Sequence, residues 1–188
     1  MNSSGSGPFR LRPLTVKDVS LTFEWRNSDR VRLHMFNSGA LRADEHAAWV
    51  ARMADSSDRC YFIYEIEGEP IGTIGLIWND LTARKAEWSF YKGAASAPKG
   101  AGLHMMSLAL AHFFIEMKGR KICAEVLADN YASLSAHDRL GFRLEGTRRA
   151  HVLHDGVFKD VMEYGLLRDS WKDQSDELWV QTNMKEMQ

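Results

Sequence analysis

The segment Ala97-Pro98-Lys99-Gly100-Ala101-Gly102-Leu103 decides how the chain is read, because a short glycine loop runs there straight into an apolar helix pattern. Leu103, Met106, Leu110, Phe113 and Met117 recur at helical spacing, so free backbone N–H groups and the positive end of a helix dipole meet just after the loop. Such a place cradles a pyrophosphate. Glycine lets the backbone approach phosphate oxygens and tolerates positive φ. An isolated G-x-G is equally a plain turn, but its position before a clean amphipathic helix favours the cradle. Downstream, Lys121-Ile122-Cys123-Ala124-Glu125-Val126-Leu127 is strand-like, and Asn130 heads a helix that Gly141-Phe142 closes.

Upstream, Phe9-Arg10-Leu11-Arg12 alternates as a first strand, and Thr15 is placed to cap a helix carrying Val16, Val19, Leu21, Phe23 and Trp25. That helix should end near Asn27-Ser28, and Asp44 should open a second with Ala47, Ala48, Val50, Ala51 and Met53. Residues 60–66 and 70–78 read as a hairpin around Glu67-Gly68, and residues 86–91 as the next strand. Residues 143–153 and 157–167 flank Asp155-Gly156 as a last hairpin. Residues 1–8 read as a flexible leader, residues 9–171 as one domain, and residues 172–188 as a largely polar tail carrying Leu178, Trp179 and Val180. The element order implies a mixed sheet covered by helices.

A chain of 188 residues with 45% hydrophobic and 11% aromatic content can bury one sizeable core. With 24 basic against 25 acidic residues, no field of one sign would gather nucleic acid or an anionic membrane, so any phosphate binding is local. Cys60 and Cys123 form no C-x-x-C or zinc pattern, which suits reduced thiols and a cytoplasmic protein. The seven histidines include His151-x-x-His154 but no H-E-x-x-H, so no metal site is expected. There is no membrane-length apolar run.

The glycine loop and the run Asn130-Tyr131-Ala132-Ser133-Leu134-Ser135-Ala136-His137-Asp138-Arg139-Leu140-Gly141-Phe142 together resemble the GNAT acetyltransferase superfamily, whose signature there is N-x-x-A/S-x-x-x-Y-x-x-x-G-F. The chain departs from the pattern at Ala97, where a glutamine or arginine is usual, and at His137, where many members carry tyrosine. The resemblance implies an α/β (α+β) domain with a mixed, centrally splayed sheet of about seven strands and about four flanking helices. It implies acetyl-coenzyme A as cosubstrate, held by Phe90, Tyr91, Lys99, Gly100, Ala101, Gly102, Leu103, Asn130 and Ser133. Without a basic residue at position 97, phosphate contacts would rest on backbone groups and Lys99.

Within the superfamily, Glu24-Trp25-Arg26-Asn27, Met35-Phe36-Asn37, Glu45-His46-Ala47-Ala48-Trp49 and the stretch with Arg149, His151, Gly156 and Asp160-Val161 are similar to the PseH (FlmH) branch. That branch acetylates the 4-amino group of UDP-4-amino-4,6-dideoxy-N-acetyl-β-L-altrosamine on the way to the pseudaminic acid of flagellin. The resemblance therefore implies a small-molecule nucleotide-sugar amine as partner, no nucleic acid or membrane, and a homodimer as one available assembly. Arg26 offers a planar fork to a diphosphate, and His46 a donor to phosphate or a sugar oxygen. Met35, Phe36, Trp49 and Tyr91 would wall the sugar or uracil pocket. Each also has a plain reading: Arg26 as a helix terminus, His46 as surface, the apolar residues as core.

An amine must be neutral to attack a thioester, and Glu125 is the candidate base. It equally reads as a solvent-facing strand carboxylate. His137 is the candidate acid for the leaving thiolate, against a packed helix histidine. A backbone N–H of residues 89–91 is the candidate oxyanion donor. Neither cysteine has a histidine beside it, which favours direct transfer over an acetyl-cysteine route. The two-helix start and coenzyme loop are shared with protein N-terminal (RimJ, RimL) and polyamine (SpeG) acetyltransferases. Ala97 and the missing tyrosine also admit a non-catalytic acyl-coenzyme A binding module.

Overall fold

The computed structural model describes residues 8–172. The leader, except Pro8, and the tail beyond Lys172, with Leu178, Trp179 and Val180, lie outside the described residues. Seven strands form one sheet in the order β1-β2-β3-β4-β5-β7-β6. They are β1 (Phe9–Pro13), β2 (Arg59–Ile66), β3 (Glu69–Asp80), β4 (Lys85–Lys92), β5 (Lys121–Leu127), β6 (Arg143–His154) and β7 (Val157–Leu167). All neighbours are antiparallel except β4 and β5. That parallel pair meets only from Lys85–Lys121 to Glu87–Cys123, and beyond it the two strands part. The parting is the splay expected in the middle of the sheet, and it leaves one backbone edge of each strand without a ladder partner.

Six α-helices accompany the sheet among the described residues: α1 (Val19–Asn27), α2 (Asp29–Arg32), α3 (Ala43–Ala54), α4 (Ala101–Ala111), α5 (Tyr131–Arg139) and α6 (Arg168–Lys172). The first helix starts later than its sequence suggested. Thr15 precedes a 3-10 turn, Val16–Asp18, where the Asp18 carboxylate accepts from Thr15 N at 2.9 Å and from its hydroxyl at 3.0 Å. Arg12 grips the same carboxylate through both terminal nitrogens, at 2.9 and 2.7 Å, and Glu65 through Nε at 2.6 Å. The start of α1 is thereby fixed to β1 and β2. Four-residue α2 and the terminal α6 were not anticipated, since neither is long enough to show a 3.6-residue period. Trp171 of α6 packs against Phe114, with ring centroids 5.1 Å apart.

The alternation of β2 divides the core. Phe62 and Tyr64 face the larger cluster with Met105, Met106, Leu110 and Phe113 of the α4 region, whereas Ile63 faces Trp25, Val50 and Met53 of α1 and α3. The larger cluster also holds Trp88, Leu140 and Phe142, so α4 and α5 cover one face of the sheet while α1 and α3 cover the other. Because side chains alternate along a strand, Ser89 and Tyr91 of β4 and Glu125 of β5 point to the α1/α3 face, opposite Trp88, Ala124 and Val126. The fold thus sets two chemistries back to back across the splay.

Candidate active site

Three cavities converge on the splay, and Met35 and Phe90 line all of them. The first, of ≈ 460 Å³, lies between the end of β4, the glycine loop and α5, with Gly100, Gly102, Leu103, Asn130 and Ser133 on its wall. Gly100 is the N-cap of α4 at φ 86 in the left-handed region, and no side chain caps the helix. Ala101 N–H donates to the Pro98 carbonyl at 3.2 Å, so the Gly102 and Leu103 N–H groups, which have no acceptor within the helix, are those available to an anion. Asn130 caps α5, its side-chain oxygen accepting from Ser133 N at 3.2 Å. Ala97 lines this cavity. The Lys99 side chain is exposed and is not on its wall, and Ala101, whose side chain is fully buried in the core, could contribute only its backbone. Arg30, Lys92 and Arg139 stand on the wall instead. No periodicity marks them, because they come from three separate elements.

The second cavity, of ≈ 420 Å³, opens on the α1/α3 face and is lined by Arg26, Met35, His46, Trp49 and Tyr91, five of the six expected acceptor residues. Phe36 is the exception; it lines the third cavity. Trp49 stacks on His46 with centroids 5.7 Å apart and meets the edge of Tyr61 at 5.0 Å. Burial and the neighbouring Arg26 charge lower the His46 pKa, so the ring is neutral at neutral pH. Burial raises the Tyr91 pKa, with Arg26 opposing. Arg26 donates from Nη2 to the Asn37 carbonyl at 2.7 Å, while its Nη1 is buried without a hydrogen-bond partner. Burial lowers the pKa of that guanidinium. The wall also carries Arg52 and Glu45, residues that sequence patterns did not single out.

The third cavity, of ≈ 330 Å³, fills the splay itself, with Glu87 to Phe90 on one side, Ala124 to Leu127 on the other, and His137 at its wall. Glu125 pairs with Arg148 of β6, whose Nε lies 3.2 Å from Glu163; both contacts are ion pairs by distance without hydrogen-bond alignment. Arg148 Nη1 is 2.8 Å from His151. The geometry arises from a bulge in which residues 149–151 oppose Asp160 alone. Ala150 there has φ 45, and its N–H donates to Asp160 at 2.7 Å. The Arg-x-His…Asp motif is thus a bulge whose neighbour Arg148 faces Glu125.

His137 needs correcting as a proton donor. Its Nδ1 is 2.7 Å from the Ser133 carbonyl, which can only accept, and its Nε2 is 3.1 Å from Trp88 Nε1–H, which can only donate. The ring is therefore neutral with both nitrogens engaged. It is 1% exposed, and burial pushes its pKa down to about 4. No N–H is left for a thiolate. The ring instead packs against Phe142 and Tyr164, with centroids 4.9 and 5.4 Å away, and anchors Trp88.

A family model described as the acetyltransferase (GNAT) domain matches residues 9–143. The chain belongs to the GNAT acetyltransferase family. Like other members it is an N-acetyltransferase. Among named relatives, the SPbeta prophage-derived uncharacterized N-acetyltransferase YokL of Bacillus subtilis is 23% identical over 132 residues, 69% of this chain and 73% of its own. The acetyltransferase PseH of Campylobacter jejuni is 24% identical over 131 residues, 70% of this chain and 80% of its own. Among solved structures, the spermidine N-acetyltransferase of Vibrio cholerae, in complex with CoA and spermine, superposes with TM-score 0.82 at 20% identity, covering 89% of this chain and 99% of that one. A GCN5-related N-acetyltransferase of Brucella melitensis gives TM-score 0.77 at 22% identity, covering 95% and 85%. These two likenesses establish the fold.

Proposed function

We propose that this GNAT enzyme transfers acetyl from acetyl-coenzyme A to the amine of an anionic small molecule, the 4-amino group of a UDP-4-amino-4,6-dideoxy sugar. The observation that carries the acceptor class is Arg26 Nη1, a buried guanidinium nitrogen with no partner on the wall of the acceptor cavity. A buried donor left unsatisfied is costly, and one belonging to a cation is satisfied best by an anionic oxygen. The same wall carries a second guanidinium, Arg52, against one carboxylate, Glu45. A polyamine, all positive charge, would meet the wrong field there. The likeness to PseH supports a nucleotide sugar as the anion bearer.

The first cavity fits acetyl-coenzyme A: an uncapped α4 N-terminus behind Gly100 suits its pyrophosphate, and Phe90, Tyr91, Asn130 and Ser133 border the path toward the splay. When bound, the coenzyme supplies an acyl thioester. A backbone N–H of residues 89–91 that points away from β3, on the edge of β4 released by the splay, holds negative charge at the acyl oxygen. Glu125 takes the proton of the acceptor ammonium, directly or through water, at the carboxylate oxygen that does not face Arg148. His137 acts through Trp88 as a positioning residue.

The test is incubation with acetyl-coenzyme A and, separately, a UDP-4-amino-4,6-dideoxy sugar, spermidine and a ribosomal N-terminal peptide, followed by mass spectrometry. One added acetyl on the nucleotide sugar is expected. Acetylation of spermidine or peptide alone overturns the acceptor class, and uptake of coenzyme with no acetylation of any amine would leave a binding module.

A further inference from the structure

The hydroxyl of Thr22 stands between two acceptors in name, and only one arrangement of protons satisfies it. Its oxygen is 2.8 Å from the Asp18 carbonyl and 2.8 Å from His46 Nε2. A carbonyl only accepts, so the hydroxyl donates to Asp18; His46 Nε2 must then carry the hydrogen and donate to the hydroxyl. Thr22 is 2% and His46 5% exposed, so water does not compete for these bonds. The ring is neutral, as shown above, and its one remaining lone pair is on Nδ1; His46 lines the acceptor cavity together with Arg26. The one N–H of the neutral ring is thus spent on Thr22, and any further hydrogen bond of His46 is one that it accepts.

We infer that Thr22 locks His46 as a hydrogen-bond acceptor that selects acceptor molecules presenting an N–H or O–H on their nucleoside part, beside the anionic group taken by Arg26. This deepens the nucleotide-sugar reading and rests on it. A phosphate oxygen has nothing to donate to His46, whereas a uracil ring N–H or a ribose hydroxyl does. The cavity then reads two features at once: a cation takes the diphosphate, and an acceptor checks that a nucleoside follows. Trp49, stacked on the His46 ring, holds its plane. Thr22 is a positioning residue, since it acts on the ligand only through His46.

The experiment uses the full chain, UDP and inorganic pyrophosphate as probes, calorimetry for affinity and nitrogen NMR of labelled histidine for the tautomer. In the wild type the His46 ring should show the Nε2–H form, and UDP but not pyrophosphate should shift Nδ1. Thr22→Val should weaken UDP about tenfold, the loss of roughly one buried hydrogen bond, and leave pyrophosphate affinity unchanged. Thr22→Ser should restore UDP binding. A Nδ1–H ring in the wild type, or equal weakening of both probes by Thr22→Val, overturns the lock while leaving the nucleotide-sugar function standing. Binding of pyrophosphate without UDP binding by the wild type overturns the nucleoside check and the nucleotide reading together. Should Thr22→Val fail to fold, the wild-type tautomer and the Nδ1 response decide the matter by themselves.

Discussion

Replacing His137 with glutamine separates a proton donor from a neutral anchor, because the amide retains one donor for the Ser133 carbonyl and one acceptor for Trp88 but cannot titrate. Burial lowers the His137 pKa from 6.5 to about 4 in the folded protein. In that window the unfolded chain binds a proton that the folded chain refuses, so the stability present above 6.5 is lost as pH falls toward about 4. Integrated from about pH 7.5 to about pH 5, this one group removes about 2 kcal/mol of folding free energy. Urea unfolding followed by tryptophan fluorescence should show that loss in the wild type, and His137→Gln should shrink the pH dependence by the same amount. Turnover should change less than about tenfold, whereas removal of a general acid costs about two to four orders of magnitude. A folded His137→Gln protein with kcat down more than about a hundredfold, or with the pH dependence of stability unaltered, would refute the anchoring role.

Glu125→Gln should lower kcat by about two orders of magnitude or more with the KM for acetyl-coenzyme A unchanged, measured as thiol release. Arg26→Met keeps much of the apolar stem but removes the unpartnered guanidinium, so the KM for the nucleotide sugar should rise about tenfold or more while kcat moves little. Gly93→Ala should destabilise by about 1–3 kcal/mol in thermal unfolding. A Cβ at Gly93 would lie 1.8 Å from the Trp25 ring, which must move.

The glycine loop and the uncapped start of α4 were legible because each rests on backbone and on residues local in sequence. The acceptor side was legible only as residue names. Arg26 and His46 come from α1 and α3, and their partners Asn37 and Thr22 come from other turns, so which atoms are left open emerges only on packing. Proximity in sequence to Gly100 does not put the Lys99 side chain on the cavity wall, while Lys92, seven positions earlier than Lys99, does line it. The Arg149-x-His151 motif drew attention to side chains whose local backbone is a bulge, and Arg148 beside it is the residue that meets Glu125.

By itself the sequence determined the order of the seven strands and the four longer helices and the glycine-headed start of α4, since each follows from periodicity, glycine and capping within a few residues, while the opening in the sheet was implied by the resemblance to the GNAT superfamily. Tertiary structure alone decided protonation and charge: that His137 has no hydrogen to give, that the one N–H of His46 is spent on Thr22, and that one nitrogen of Arg26 is left without a partner. A titratable group takes its state from neighbours brought to it by the fold: Thr22 lies 24 residues from His46, and Trp88, which closes off the second nitrogen of His137 after the local Ser133 carbonyl takes the first, lies 49 away.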